Sequence, residues 1–333
     1  MIKMSILTSR KKEFAAFTMY DSKSKMRENL LKHWFPSSID GIRSTLHTIA
    51  LIANPATPEE RRKTLKRGIH YYSRYIHTNA VILPLKDIEE LLEDATELYV
   101  DACPCRVIER TKNPDIKCDA PIYSCLRINY SAKIRMEQKN SIGITKEQAL
   151  RLVRHANKLG LAMSLESCIQ PYQCNICMCC TDCCVPMQAR FKYDIPMYYS
   201  GPYLPEMKND DCMECQACVE RCPVPETKKP IRIADKKVLI DTQNCLGCGL
   251  CSQACPADVI HMVKYPERMQ HNTEPSLIRL LIIYMYIHLF RMPIVKDYVA
   301  ANGSWADKLA NAEPRPADLL DIIAAQKNPL HLG

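Results

Sequence analysis

Two copies of one cysteine pattern, 33 residues apart, constrain this chain more than any other feature in it. Cys212, Cys215, Cys218 and Cys222, the last followed by Pro223, read C-x2-C-x2-C-x3-C-P. Cys245, Cys248, Cys251 and Cys255, followed by Pro256, repeat the pattern without a deviation. Between the copies, Ile231 to Ile233 and Val238 to Ile240 flank a polar turn and are expected to pair as a hairpin. The 333 residues hold 19 cysteines in all but only 9 glycines. No G-x-G-x-x-G and no G-x-x-x-x-G-K-[ST] occurs, which argues against a dinucleotide fold and against a P-loop.

Met1 to Lys12 carries charges but no apolar stretch and no small-residue cleavage site, so secretion is not expected. Nineteen thiols without a secretory leader read as metal ligands rather than disulfides. The longest apolar run, Leu280 to Phe290, is bounded by Arg279 and Arg291 and falls short of the ~20 residues a membrane span needs. It is expected to be a buried helix, with membrane-surface association as the lesser alternative. The expected location is cytoplasmic.

Soft thiolates at this density select iron–sulfur clusters or zinc, and eight of them in doubled order select clusters. Three thiolates on one tight loop hold three corners of a [4Fe–4S] cubane, while the fourth, next to a proline, points away. Residues 206 to 264 resemble a bacterial-type two-[4Fe–4S] ferredoxin. The resemblance covers roughly a sixth of the chain and implies a small α+β fold with crossed ligation. By it, Cys212, Cys215, Cys218 and Cys255 hold one cluster, and Cys245, Cys248, Cys251 and Cys222 hold the other.

Eleven cysteines lie upstream of the doubled motif. Cys103-Pro-Cys105-Arg106, with Cys118 and Cys125, forms one group; Cys168 and the run Cys174, Cys177, Cys179, Cys180, Cys183 and Cys184 form another. The adjacent-cysteine pairs resemble heterodisulfide-reductase-type cluster domains, although the long spacings of that family do not fit. The C-P-C-R and C-N-x-C-x-C-C elements are similar to modules fused ahead of ferredoxin domains in anaerobic redox proteins. Three explanations compete. One or two further [4Fe–4S] clusters are favoured, with Cys103, Cys105, Cys118 and Cys125 as a third set and Cys174, Cys177, Cys179 and Cys180 as a fourth, ahead of Cys183 or Cys184. A four-thiolate zinc site, above all at Cys103, Cys105, Cys118 and Cys125, is the runner-up. The third is a Cys174/Cys177 dithiol that exchanges with a disulfide. Arg106 reads either as a salt-bridge partner or as a cation that raises the potential of a neighbouring cluster.

The expected fold class is α+β. A basic helical segment spans residues 1–80, a cysteine-rich α+β module 81–200, the two-cluster unit 201–264 and a helical tail 265–333. Residues 1–80 hold 15 Lys/Arg against 6 Asp/Glu, so the net charge of +8 is carried entirely there. That segment is either a solvated face or a docking surface for an acidic redox partner; no nucleic-acid module is recognisable. Thr57-Pro58-Glu59-Glu60 opens a helix that Gly68 is expected to close. A second helix is expected near Lys86 to Asp94, then a strand through Leu98 and Val100. A third starts at Thr145, with Gln148 completing a capping box, and stops before Gly160. Pro196, Pro202 and Pro205 read as a linker.

The functional expectation is an iron–sulfur electron-transfer protein serving redox protein partners. The first alternative is a reductase or reductive activator, part of an oxidoreductase, whose N-terminal module reduces a substrate or partner. The second is a ferredoxin on a zinc-stapled scaffold.

Overall fold

The computed structural model describes residues 51–52, 55–75, 81–103, 105–106, 109–110, 116, 118, 120–128, 141–166, 174–194 and 200–268. Cys168, Pro196 of the expected linker, the apolar run at 280–290, all of the proposed tail beyond residue 268 and most of the basic segment lie outside these residues. Helices and strands both occur, as the α+β class requires. Among the described residues no helix is long and apolar enough to cross a membrane.

Helix α1 (Glu59–Tyr75) begins after Pro58 with Glu59 and Glu60 in its first turn, where carboxylates favour the helix dipole. It does not stop at Gly68. A glycine inside a helix costs only about 1 kcal/mol against alanine, and the backbone bonding runs on for another two turns to Tyr75. Strand β1 (Val81–Leu83) and helix α2 (Leu85–Glu93) follow, then β2 (Leu98–Ala102), β3 (Tyr123–Ile128) and β4 (Ser141–Gly143). Helix α3 (Lys146–Lys158) opens on a complete capping box: Gln148 N–H donates to Thr145 Oγ1, and Thr145 N–H donates to Gln148 Oε1. Strands β5 (Ala162–Glu166) and β6 (Cys174–Cys179) and helix α4 (Val185–Tyr193) complete the first half.

The six strands form one antiparallel sheet in the order β1-β5-β6-β3-β2-β4. Strand periodicity divides its side chains between two faces. Leu83, Val100, Leu126, Ile128, Met163, Leu165, Ile176 and Met178 point to a core that α2 and α3 close with Ile88, Leu92, Leu152 and Val153. The opposite face carries Ile82, Ala162, Cys177 and Cys179, packed against Met187 and Phe191 of α4.

The second half packs on that opposite face. Strand β7 (Tyr203–Met207) pairs antiparallel with β10 (Ile260–Lys264), and β8 (Ile231–Ala234) with β9 (Lys237–Ile240). Pro205 is therefore a ladder residue, paired with Met262, and not part of a linker; its missing N–H is tolerated because this ladder has only two strands, both edges. The β8–β9 hairpin turns through Asp235 and Lys236, both at positive φ, as a two-residue type I′ turn requires. Short helices α5 (Ala217–Glu220) and α6 (Leu250–Ala254) each follow a cysteine loop.

Candidate metal centres

The two cysteine loops share a backbone and differ in surroundings. In each, the third and fifth positions take the left-handed conformation: Glu214 (φ 54°) and Gln216 (φ 63°) in the first, Gly247 (φ 74°) and Gly249 (φ 78°) in the second. The first loop tolerates side chains there because it faces solvent; Cys215 is exposed and Met213 is 61% exposed. The second is pressed against the rest of the chain. A Cβ on Gly247 would come within 2.6 Å of the Tyr203 carbonyl oxygen, and one on Gly249 within 3.2 Å of Pro84 Cβ. Glycine is required there for space as well as for φ.

Cys212, Cys215, Cys218 and Cys255 line one pocket, walled by Ile233, Val238, Val259 and Ile260. Three of these thiols thus come from the first motif and the fourth from the second. The remaining thiols group the other way: Cys248 and Cys251 each lie within electrostatic reach of Cys245 and Cys222. Burial pushes the Cys222 thiol up to about 11 and Cys248 up to about 12. Buried thiols of this kind ionise when a metal centre supplies the compensating charge.

The upstream cysteines assemble through the sheet rather than along the sequence. β6 runs through the cysteine cluster, with Ile176 and Met178 in the core and Cys177 and Cys179 on the far face. The register sets Cys125 of β3 opposite Cys177. One chain of thiol contacts runs Cys103–Cys105–Cys184–Cys179, and the Val185 N–H at the start of α4 also donates to Cys105. These donors hold Cys105 well below the usual thiol range, whereas donation to Cys105, together with burial, raises Cys103. A second group is Cys118, Cys180 and Cys183, with Cys118 Sγ 3.6 Å from Cys180 Sγ. Cys118 accepts from both partners, which lowers it and raises Cys183.

The thiol contacts cross between the two contiguous sets expected from spacing, while Cys103 and Cys125 of the first set also lie within electrostatic reach of each other. Cys103 and Cys105 join Cys179 and Cys184; Cys118 joins Cys180 and Cys183. Cys174 opens β6. Sequence reasoning ranked Cys183 and Cys184 low, yet each belongs to one of these groups. The signal for them was Pro186 just inside α4, a helix-start mark that places the adjacent pair at a fixed N-terminus.

Arg106 lies between the groups and is 1% exposed. Its guanidinium donates to the carbonyls of Pro121 (2.9 Å) and Met178 (2.5 Å), to Ser124 Oγ, and at 4.0 Å to Cys180 Sγ. Among the described residues it has no carboxylate partner, so the salt-bridge expectation is replaced by a setting of thiols: Cys103, Cys180, Cys179 and Cys118 all favour its charge. Its Nε is buried without a hydrogen-bond partner.

The groups meet at the packing of the two halves. Cys179 and Cys184 share an apolar cluster with Val224 and Leu246, against which Cys177, Cys222 and Cys248 also pack.

A family model for a 4Fe-4S dicluster domain matches residues 204–256 and 237–275. Among curated relatives, the chain is 45% identical over 120 residues to one component of the ferredoxin:CoB-CoM heterodisulfide reductase of Methanosarcina mazei, a match covering 31% of this chain and 14% of that protein. It is 33% identical over 85 residues to one component of the NADH-quinone oxidoreductase of Symbiobacterium thermophilum (21% and 33% covered). It is 33% identical over 60 residues to the PorD component of the pyruvate synthase of Methanothermobacter marburgensis (18% and 65% covered). The chain thus spans less than two thirds of each of these relatives. No solved structure matches. Residues 204–275 belong to the 4Fe-4S dicluster domain family, the two-cluster ferredoxins that the doubled cysteine motif resembles.

Proposed function

We propose that this chain relays single electrons between redox proteins, taking them up at Cys212, Cys215, Cys218 and Cys255 and passing them by way of Cys245, Cys248, Cys251 and Cys222 towards the cysteine-rich module. The observation that carries this reading is the asymmetry of the two loops: Cys215 and Met213 open to solvent, while Cys222 and Cys248 pack with Cys177, Cys179 and Cys184. Bound [4Fe–4S] clusters supply the one-electron carriers. The protein's part is to fix their order and to exclude water: Val259 and Ile260 wall the first pocket, and Leu246 and Val224 seal the second set against the module. Cys103, Cys105, Cys179 and Cys184 would hold the next centre, a third cluster, on the far side of that seal. The names of the relatives, components of larger redox enzymes, favour protein partners at both ends.

Anaerobic reductive titration of the full chain, followed by EPR, tests this reading. The wild type should accept more than two electrons, about one per cluster, and Cys105→Ser only two. Uptake of two electrons by both proteins would confine the relay to residues 204–275 and overturn the module's part in it.

A further inference from the structure

Cys118 precedes β3, Cys180 follows β6 directly, and Cys183 lies in the turn before α4. Each of the three thiols contacts the other two. Among the described residues this is the one group in which three metal-binding atoms lie within 4.8 Å of one another, and none of the eight ferredoxin cysteines belongs to it. Where Cys212, Cys215, Cys218 and Cys255 stand back around a pocket, these three close on one another.

We infer that Cys118, Cys180 and Cys183 form a mononuclear site for one thiophilic divalent ion, zinc or ferrous iron, separate from the iron–sulfur clusters. Two thiolates on a tetrahedral ion with bonds of about 2.3 Å stand about 3.8 Å apart, and Cys118 Sγ and Cys180 Sγ are 3.6 Å apart. A cubane places an iron–sulfur cage between its thiolates and spreads them further than this closed triangle allows, whereas the Cys103–Cys105–Cys184–Cys179 chain is open, with no three of its thiols within 4.8 Å of one another. The three thiols supply three corners of a tetrahedron, and the fourth falls to water.

Charge balance at Arg106 points the same way. A divalent ion on three thiolates carries a net charge of −1, which supplies part of the counter-charge to the buried Arg106 guanidinium, whose Nη2 faces Cys180 Sγ at 4.0 Å and which Cys103 and Cys179 of the other group also favour. A buried cation with no carboxylate needs such a counter-charge. The backbone is pinned to suit: Arg110 donates to the carbonyls of Cys118 and Ala120, and Cys184 N–H closes a turn onto the Cys180 carbonyl at 3.1 Å. The expectation of a third cubane on Cys118 gives way here to the metal-ion alternative, on a set that draws its cysteines from both halves of the module.

The test uses full-length protein prepared anaerobically, with iron, acid-labile sulfide and zinc measured in the wild type and in Cys118→Ser. The variant should lose one metal ion per chain and no sulfide, with the visible iron–sulfur absorption of the two-cluster unit unchanged. Loss of about four irons together with about four sulfides would make the site a cubane and overturn the inference; so would an unchanged metal content. Should Cys118→Ser fail to fold, cobalt incorporated into the wild type gives a second reading. Tetrahedral cobalt–thiolate bands that disappear in Cys183→Ser support the site, and their absence from the wild type or persistence in that variant overturns it.

Discussion

Tyr203 Oη donates to both carboxylate oxygens of Asp87, at 3.0 and 2.9 Å, and so ties β7 of the two-cluster unit to α2 of the module. Asp87 is 7% exposed, and burial raises its carboxyl above the usual range against the lowering effects of Tyr203, Lys264 and Lys86; Glu90 adds to the rise. A carboxyl raised in the folded state favours folding while protonated and loses that contribution as pH climbs through the raised value. Thermal midpoints of wild type relative to Asp87→Asn should therefore fall as pH rises across the acidic range and level off above it. Tyr203→Phe removes the lowering hydrogen bond and should move the inflection to higher pH. A pH-independent difference would contradict this assignment.

The loop asymmetry predicts unequal tolerance to substitution. An L-residue at positive φ costs about 1–2 kcal/mol, and Gly247→Ala adds a clash with the Tyr203 carbonyl oxygen. That variant should lower the thermal midpoint and lose iron from the second set. Glu214→Ala, at the equivalent position of the exposed loop, keeps an L-residue at the same positive φ and should leave the iron content unchanged, with at most the loss of the Lys236 N–H bond to the Glu214 carboxylate. Equal effects in the two loops would remove the argument that only the second is docked.

Arg106 is predicted to be held by thiol charge. Removing one member of a buried charge pair costs about 3–5 kcal/mol, so Arg106→Met should destabilise the module severely, measured by its yield of soluble protein and its retained metal. Arg106→Lys keeps the charge but cannot serve Pro121, Met178 and Ser124 together, and should fall in between. Stable, fully loaded Arg106→Met would show that the cation has no counter-charge to balance.

Crossed grouping gives a selective lesion. Cys222→Ser should remove about four of the irons in the two-cluster unit, and those lost should be the ones held by Cys245, Cys248 and Cys251. The EPR signal of the set that includes Cys255 should remain. Selective loss of that set instead would reverse the grouping.

Sequence alone revealed the elements whose signals are local. Thr145 and Gln148 mark the start of α3 within one turn, and Ile231 to Ile240 reads as a hairpin because its apolar alternation breaks at one polar turn. The doubled motif likewise carries its chemistry in its own spacing. Gly68 misled, since a lone glycine weakens a helix without ending it. β6 was hidden because Cys174 to Cys179 reads as a ligand loop, although Ile176 and Met178 already show the alternation of a strand. The thiol groups were beyond reach for a different reason: Cys118 meets Cys180, and Cys105 meets Cys184, only once the sheet register brings β3 beside β6. Neither partner's local sequence encodes that register.

The direction of the relay is the central claim, and the rate at which the second cluster is reduced tests it most directly. Met213 and Cys215 are exposed whereas Cys245 is buried and Cys248 and Cys251 are half-buried, so a reduced flavodoxin is expected to dock at the face that carries Met213 and Cys215. Stopped-flow reduction of full-length protein should show the second cluster filling rapidly in the wild type. In Cys215→Ser, which lacks the first cluster, it should fill at least about tenfold more slowly, a barrier increase of about 1.4 kcal/mol. An unchanged rate in Cys215→Ser would mean that electrons reach the second cluster without the first, and would contradict the account.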